Sequence, residues 1–266
     1  MNNFERNFKH NKIAFRYTKG KSLVSGEEIH SYYEMLYYMK GNATFLSEQF
    51  EKKLDENTLI IIPKETYHKF QIENNEEYTR LVLNFPDIDE LDDLIYGVFT
   101  KIKIIENINP NITHLINRII EILNSNEPEC NKKPLLFAAF YMLLAELNAT
   151  TLPVFIPIAR ESELLISRCI KYIDQNFLKS ISVEQISKEM FVSSSCLHQS
   201  FKKHLGISVY KYITEKRLIY AHKLISIGHN PTSVYLECGY NDYPTFYKAY
   251  VKKFGNPPCK DKPKEF

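Results

Sequence analysis

The chain has 266 residues, 44% of them apolar and 25% charged, which suits two ordinary globular domains and leaves no room for a third of typical size. A formal charge of +2 hides an asymmetry: residues 1–159 carry 17 Lys and Arg against 22 Asp and Glu, net −5, whereas residues 160–266 carry 17 against 10, net +7. A basic C-terminal part is what neutralising nucleic-acid phosphates requires, and no run approaches the roughly 18 apolar residues of a membrane span.

The opening residues MNNFERNFKHNK lack the apolar core of a leader peptide, so a cytoplasmic location without membrane contact is expected. From 29 to about 85 the segments IHSYYEMLYYM, NATFLSEQFEKKL, NTLIIIP, YHKFQIE and YTRLVLNF are rich in aromatic and β-branched residues and are separated by GN, DEN and NNEE turns. Closely spaced short strands of this kind predict a small barrel or sandwich. After Pro86 the period changes: DIDELDDLIYGVF suits a short acidic helix, and Ile112, Leu115, Ile116, Ile119, Ile120 and Leu123 form one apolar helical stripe. Pro134 is read as opening the next helix, LLFAAFYMLLAEL, which is apolar on nearly every side and therefore needs cover from its own domain, a second copy of the chain, or both. A homodimer is expected. Residues 151–162, with two prolines and no period, are read as a linker between a domain over 1–150 and another over 163–266.

In the C-terminal part, Ser182 and Gln185 match a capping box before VEQISKEM, and Ser193 can cap SSCLHQSFKKHLG. Two short helices joined by a tight turn predict a helix-turn-helix. SVYKYITEKRLIYAHKLI reads as a long connecting helix, after which TSVYLE, the turn CGYN and DYPTFYKAYVKKFG repeat the arrangement. Leu197, Phe201, Lys203 and Gly206 are echoed by Phe246, Tyr250, Lys252 and Gly255, so the unit is duplicated.

FKKxxG after the first recognition helix and GYNDYPTFYKAYVKKFGNPP at the end resemble the AraC/XylS family of bacterial regulators, over about residues 163–260. The resemblance implies an α+β protein with an N-terminal cupin-like β-barrel carrying dimerisation helices. Its C-terminal all-α domain would hold two helix-turn-helix units joined by a long helix and gripping double-stranded DNA in successive major grooves. The implied function is a transcription regulator, mostly of the activating kind that recruits RNA polymerase. Groove-facing residues carried over by position are Ser195, His198 and Gln199, with Lys202 near phosphates, and in the second helix Tyr243, Thr245, Tyr247 and Lys248. Gln can pair with adenine, Lys with guanine, and Thr or Tyr can touch a thymine methyl or a phosphate. Two positions depart from the family pattern: Tyr235 stands where a small residue is usual, and Pro244 lies inside the second recognition helix, where a first-turn position tolerates it if Asn241 or Asp242 is the cap.

In the N-terminal part, HSYYEMLYYMKG has the order H-x3-E-x6-G and NTLIIIPKETYH supplies P-x4-H, similar to the two halves of a cupin motif. Strand alternation puts His30, Tyr32, Glu34, Leu36 and Tyr38 on one face and His68 with Phe70 on another. Two readings follow. His30, Glu34 and His68, with Glu28, could hold a metal; or His30, Tyr32, Glu34, Tyr38 and His68 could bind a polar effector. Asn57 and Glu65 stand where the motif has glycines, which weighs against the metal. No cofactor or metal is therefore expected, and a tyrosine-rich polar lumen points to a carbohydrate. No nucleophile signature or phosphate-binding glycine loop is present, so no catalytic residues are assigned. The alternatives are a cupin-type metalloenzyme with a DNA-binding tail and a regulator whose N-terminal domain binds a protein. Cys130, Cys169, Cys196, Cys238 and Cys259 lie far apart with no CxxC pair, and reduced structural roles are expected for them.

Overall fold

A computed structural model describes residues 4–10, 13–21, 29–48, 50–72, 77–88, 91–150 and 161–261. Glu28 and residues 151–160 of the expected linker lie outside the described residues. The chain divides into two units, one from the described residues of Met1–Gly26, Tyr32–Leu46 and Glu51–Ile158, the other from those of Glu27–Ser31, Ser47–Phe50 and Ala159–Phe266. The α+β class expected from the sequence is what the chain adopts.

The first unit is built on strands β1 (Phe4–His10), β2 (Ile13–Lys21), β3 (Tyr33–Lys40), β4 (Ala43–Ser47), β5 (Glu51–Lys53), β6 (Thr58–Ile62), β7 (His68–Ile72), β8 (Glu77–Phe85) and β9 (Lys103–Ile105). Six make a sheet in the order β1-β2-β8-β3-β6-β9, and three make a second sheet, β5-β4-β7. Strands β1 and β2 were not expected from the sequence; Ile13 and Phe15 alternate inward along β2, but the charged Arg16, Lys19 and Lys21 that follow dilute the signal. The β3–β4 turn needs Gly41, whose φ is 128° and where a Cβ would stand 3.0 Å from the Glu77 carbonyl oxygen and from Tyr78 Cβ.

One face of the six-stranded sheet is apolar. Phe15, Met35, Tyr37, Leu59, Ile61, Leu81, Leu83 and Phe85 pack with α1 (Asp92–Val98), α2 (Pro110–Asn124) and α3 (Glu129–Ala149) in one core. Helix α2 buries the predicted stripe at Ile112, Ile116, Ile119 and Leu123. Helix α3 starts five residues before Pro134, which lies inside it. Earlier contacts already hold the first turn: the amides of Asn131 and Lys132 donate to the Pro128 carbonyl, and Lys132 Nζ donates to the carbonyls of Leu123 and Ser125 at the end of α2.

The second unit is helical: α4 (Glu161–Asn176), α5 (Val183–Glu189), α6 (Ser194–Leu205), α7 (Val209–Ser226), α8 (Pro231–Glu237), α9 (Tyr243–Phe254) and a final 3-10 turn, Pro258–Asp261. The capping box at α5 forms as expected, Ser182 Oγ accepting from the Gln185 amide at 3.2 Å while Gln185 Oε1 accepts from the Ser182 amide at 2.8 Å. Helices α6 and α9 are duplicates. Both have 12 residues, both begin at a side-chain cap (Ser193, Asp242), and both end on a left-handed glycine, Gly206 at φ 73° and Gly255 at φ 75°. Pro244 sits in the first turn of α9, where its missing N–H costs nothing.

Candidate nucleic-acid interface and effector site

The apolar residues of α6 and α9 decide which faces remain outside. Leu197, Phe201 and Leu205 are buried from α6, and Phe246 and Tyr250 from α9. Ser195, His198, Gln199 and Lys202 are consequently exposed on α6, and Thr245, Tyr247 and Lys248 on α9. Tyr243 differs. It is half-buried and edge-on to Tyr235, with ring centroids 5.7 Å apart, so the bulky residue at 235 packs beneath the start of the recognition helix. Two other candidates have local duties: Lys202 Nζ donates to the Gly206 carbonyl at 2.7 Å, and Thr245 donates its amide (2.8 Å) and hydroxyl (2.9 Å) to the Asp242 carboxylate. Lys202 and Lys203 in the last turn of α6, and Lys252 in that of α9, supply positive charge, whereas Lys253 is paired with Glu215.

Arg217, on α7, is absent from the sequence-derived candidates. Its Nε donates to the Phe177 carbonyl (2.7 Å), Nη1 to the Gly239 carbonyl (2.9 Å) and Nη2 to the Lys179 carbonyl (2.8 Å). It thus ties the segment after α4 to the turn between α8 and α9. Burial pulls its basicity down, and the nearby Tyr240 opposes that. No local spacing could have revealed it, since its partners lie 22 to 40 residues away.

In the first unit, pairing of β3 with β8 and β6 places Glu34, Leu36 and Tyr38 on the sheet face opposite the helices, with Asn84, Val82 and Arg80 beside them. The second sheet faces this surface: His68 Nε2 lies 3.9 Å from Glu34 Oε1, and the Tyr38 and Phe70 rings are 5.8 Å apart. Glu34, Tyr38 and His68, expected together, are all buried here. Asn84, with its amide turned so that nitrogen faces Glu34, donates to Glu34 Oε2 at 3.1 Å. His30 is buried and Tyr32 half-buried, but both precede β3, so strand alternation does not set their direction. Asn57 and Glu65, standing where glycines were expected, adopt left-handed φ of 61° and 58°, so the turn geometry persists without glycine.

Two family models match the sequence. The AraC-like ligand binding domain aligns with residues 16–140 and a helix-turn-helix domain with residues 186–261. The chain belongs to the AraC family. The family's relatives include the probable transcriptional regulator LumQ of Photobacterium leiognathi, 32% identical over 90 residues that span 34% of this chain and 36% of LumQ. The lactose operon transcription activator of Staphylococcus xylosus is 28% identical over 150 residues, 54% of this chain and 52% of that protein. The raffinose operon transcriptional regulatory protein RafR of Pediococcus pentosaceus is 23% identical over 241 residues, 88% of this chain and 85% of RafR. The aligned stretch thus spans about half or less of the first two relatives and most of the third. The chain thus carries an AraC-like ligand-binding domain and a helix-turn-helix domain, and the relatives just named are transcription regulators. Among the described residues no helix is long and apolar enough to cross a membrane.

Proposed function

We propose that this AraC-family chain is an effector-responsive activator that inserts α6 and α9 into successive major grooves of DNA. The observation that carries the reading is the duplication of cap, buried anchors and left-handed glycine in α6 and α9, which leaves a polar, basic face outward on each. Ser195, His198, Gln199 and Lys202 read the first groove and its phosphates, and Tyr243, Thr245, Tyr247 and Lys248 the second, with His198, Gln199, Tyr247 and Lys248 the freest to reach bases. With α4 beginning at Glu161, two residues inside the expected linker 151–162, residues 161–266 act as the DNA-binding domain and 1–150 as the effector and dimerisation domain.

The effector occupies the sheet face that carries Glu34 and Tyr38 opposite His68, with His30 and Tyr32, from the segment just ahead of β3, the remaining candidate contacts. A carbohydrate suits this polar lumen, and two relatives take their names from lactose and raffinose operons. The dimer forms through α3, where Leu135, Ala138, Met142, Ala145 and Ala149 are exposed at alternating steps of three and four residues, the spacing of a coiled-coil seam. Bound at a promoter, the dimer recruits RNA polymerase.

Genome-wide mapping of bound sites, followed by binding assays on the recovered sequences, tests the reading. Sites in promoter regions that are lost on His198→Ala or Lys248→Ala are the expected result. Binding without sequence preference, or unchanged in both variants, would contradict it.

A further inference from the structure

The lumen face of the six-stranded sheet is ordered in rows. Across β2, β8, β3 and β6 the residues Thr18, Arg80, Tyr38 and Thr58 are direct partners and share one face. The next row on that face, Val82, Leu36 and Ile60 on β8, β3 and β6, is apolar, with the half-exposed Arg16 at its β2 edge facing Glu5, and the one after it holds Ala14, Asn84, Glu34 and Ile62. Arg80 and Glu34 therefore sit about 13 Å apart along the strands, at four residues of about 3.3 Å each. The lumen has a cationic end and an acidic end, separated by an apolar belt.

Arg80 is buried, with its guanidinium carbon 4.9 Å from the Phe70 ring centroid and 5.8 Å from that of Tyr78. Thr18 and Tyr78, at 1% and 0% exposure, flank it, and neither the Thr18 hydroxyl nor the Tyr78 hydroxyl has a hydrogen-bond partner among the described residues. Buried hydroxyls without partners are rare because each forfeits its hydration with no return. Burial raises the Tyr78 phenol and Arg80 lowers it, the first effect being larger, so it remains a donor at neutral pH. Two unsatisfied hydroxyls beside a buried guanidinium form the donor set that a carboxylate accepts from, the guanidinium giving charge-assisted bonds and the hydroxyls completing the shell.

The geometry points to an effector that is a hydroxylated carboxylic acid, such as a sugar acid. Its carboxylate is received by Arg80, Thr18 and Tyr78, its carbon skeleton lies over Val82, Leu36 and Ile60, and its far hydroxyls bond to Glu34 and His68. This rests on the effector reading above and narrows it, since a neutral sugar brings hydroxyl acceptors but no negative charge to meet Arg80.

The full chain is titrated calorimetrically, with parallel thermal-shift measurements, against the pairs D-galacturonate and D-galactose, D-glucuronate and D-glucose. The expected result is that an acid binds at least tenfold more tightly than its neutral partner. Arg80→Met should abolish that preference, while Thr18→Val and Tyr78→Phe weaken acid binding severalfold without lowering the melting temperature of the free protein. The latter two keep the test decisive should Arg80→Met fold poorly. Equal or tighter binding of the neutral sugars overturns the carboxylate assignment and leaves the effector reading standing, as does acid binding that all three variants retain in full. Binding of no compound in either class overturns both.

Discussion

The two helix-turn-helix copies share a plan and differ in how they are held. In the first copy, the turn between α5 and α6 passes through Phe191, which takes a left-handed φ of 57° while 89% exposed. In the second, the corresponding turn uses Gly239 at φ 75°, and Arg217 grips its carbonyl oxygen. The first copy stores backbone strain in a side chain that packs on little, whereas the second spends a glycine and a buried arginine to fix its turn against α7. Duplication preserved the caps and anchors that orient a recognition helix and allowed the joints to diverge.

Breaking that comparison begins with the largest expected effect. Arg217→Ala removes three bonds from a charged donor and leaves the carbonyls of Phe177, Lys179 and Gly239 without it, so a loss of about 2–4 kcal/mol is expected in chemical denaturation. Contacts of α9 with DNA should weaken more than those of α6. Arg217→Lys, with no fork to span three carbonyls, should recover only part.

The turns come next. A Cβ at position 239 would stand 2.9 Å from the Arg217 guanidinium carbon, and the positive φ adds strain, so Gly239→Ala should cost about 1–2 kcal/mol or more. Phe191→Gly should instead stabilise the protein by about 0.5–1 kcal/mol, because the strain relieved exceeds the added entropy of the unfolded chain. If both substitutions shift the melting temperature in the same direction, the contrast between the turns fails.

The caps should behave alike in the two copies. Ser193→Ala and Asp242→Ala each forfeit the bond to a first-turn amide, Cys196 N at 3.1 Å and Thr245 N at 2.8 Å, for about 1 kcal/mol apiece, the extra bond from the Thr245 hydroxyl to Asp242 being water-exposed and adding little. A difference of more than about 1 kcal/mol would show that the helices are not equivalent units.

The smallest effect on stability, and the sharpest on accessibility, comes from cysteine labelling. Cys196 is exposed on α6, whereas Cys238 is buried ahead of α9 with its thiol pushed up to about 12, by burial first and then by Glu237. Maleimide should modify Cys196, Cys130 and Cys259 in the native protein and leave Cys238 and Cys169 untouched until it unfolds. Five structural cysteines were expected from the sequence; only two are buried.

How much of this was legible follows from the range of the interactions involved. The paired helix-turn-helix could be read because its signals are local: the Ser182 and Gln185 box, the Ser193 and Asp242 caps, and anchors at i and i+4 all lie within a few residues. The start of α3 was misplaced because Pro134 is a strong local signal that contacts from Lys132 to the end of α2 override. In the first unit, Glu34, Tyr38 and His68 were legible through strand alternation and spacing. Arg80 and Thr18 were not, because only the register of β2 against β8 and of β8 against β3 brings them beside Tyr38. Arg217 was hidden for the same reason in the helical unit.

The central claim is that both recognition helices read DNA, each in its own groove. Footprinting of the full chain on a site recovered from the genome tests it most directly, comparing wild type with His198→Ala and Lys248→Ala. The account predicts two protected patches about one helical turn apart on the same face, with His198→Ala erasing one and Lys248→Ala the other. A single patch, or two variants that erase the same patch, would contradict it.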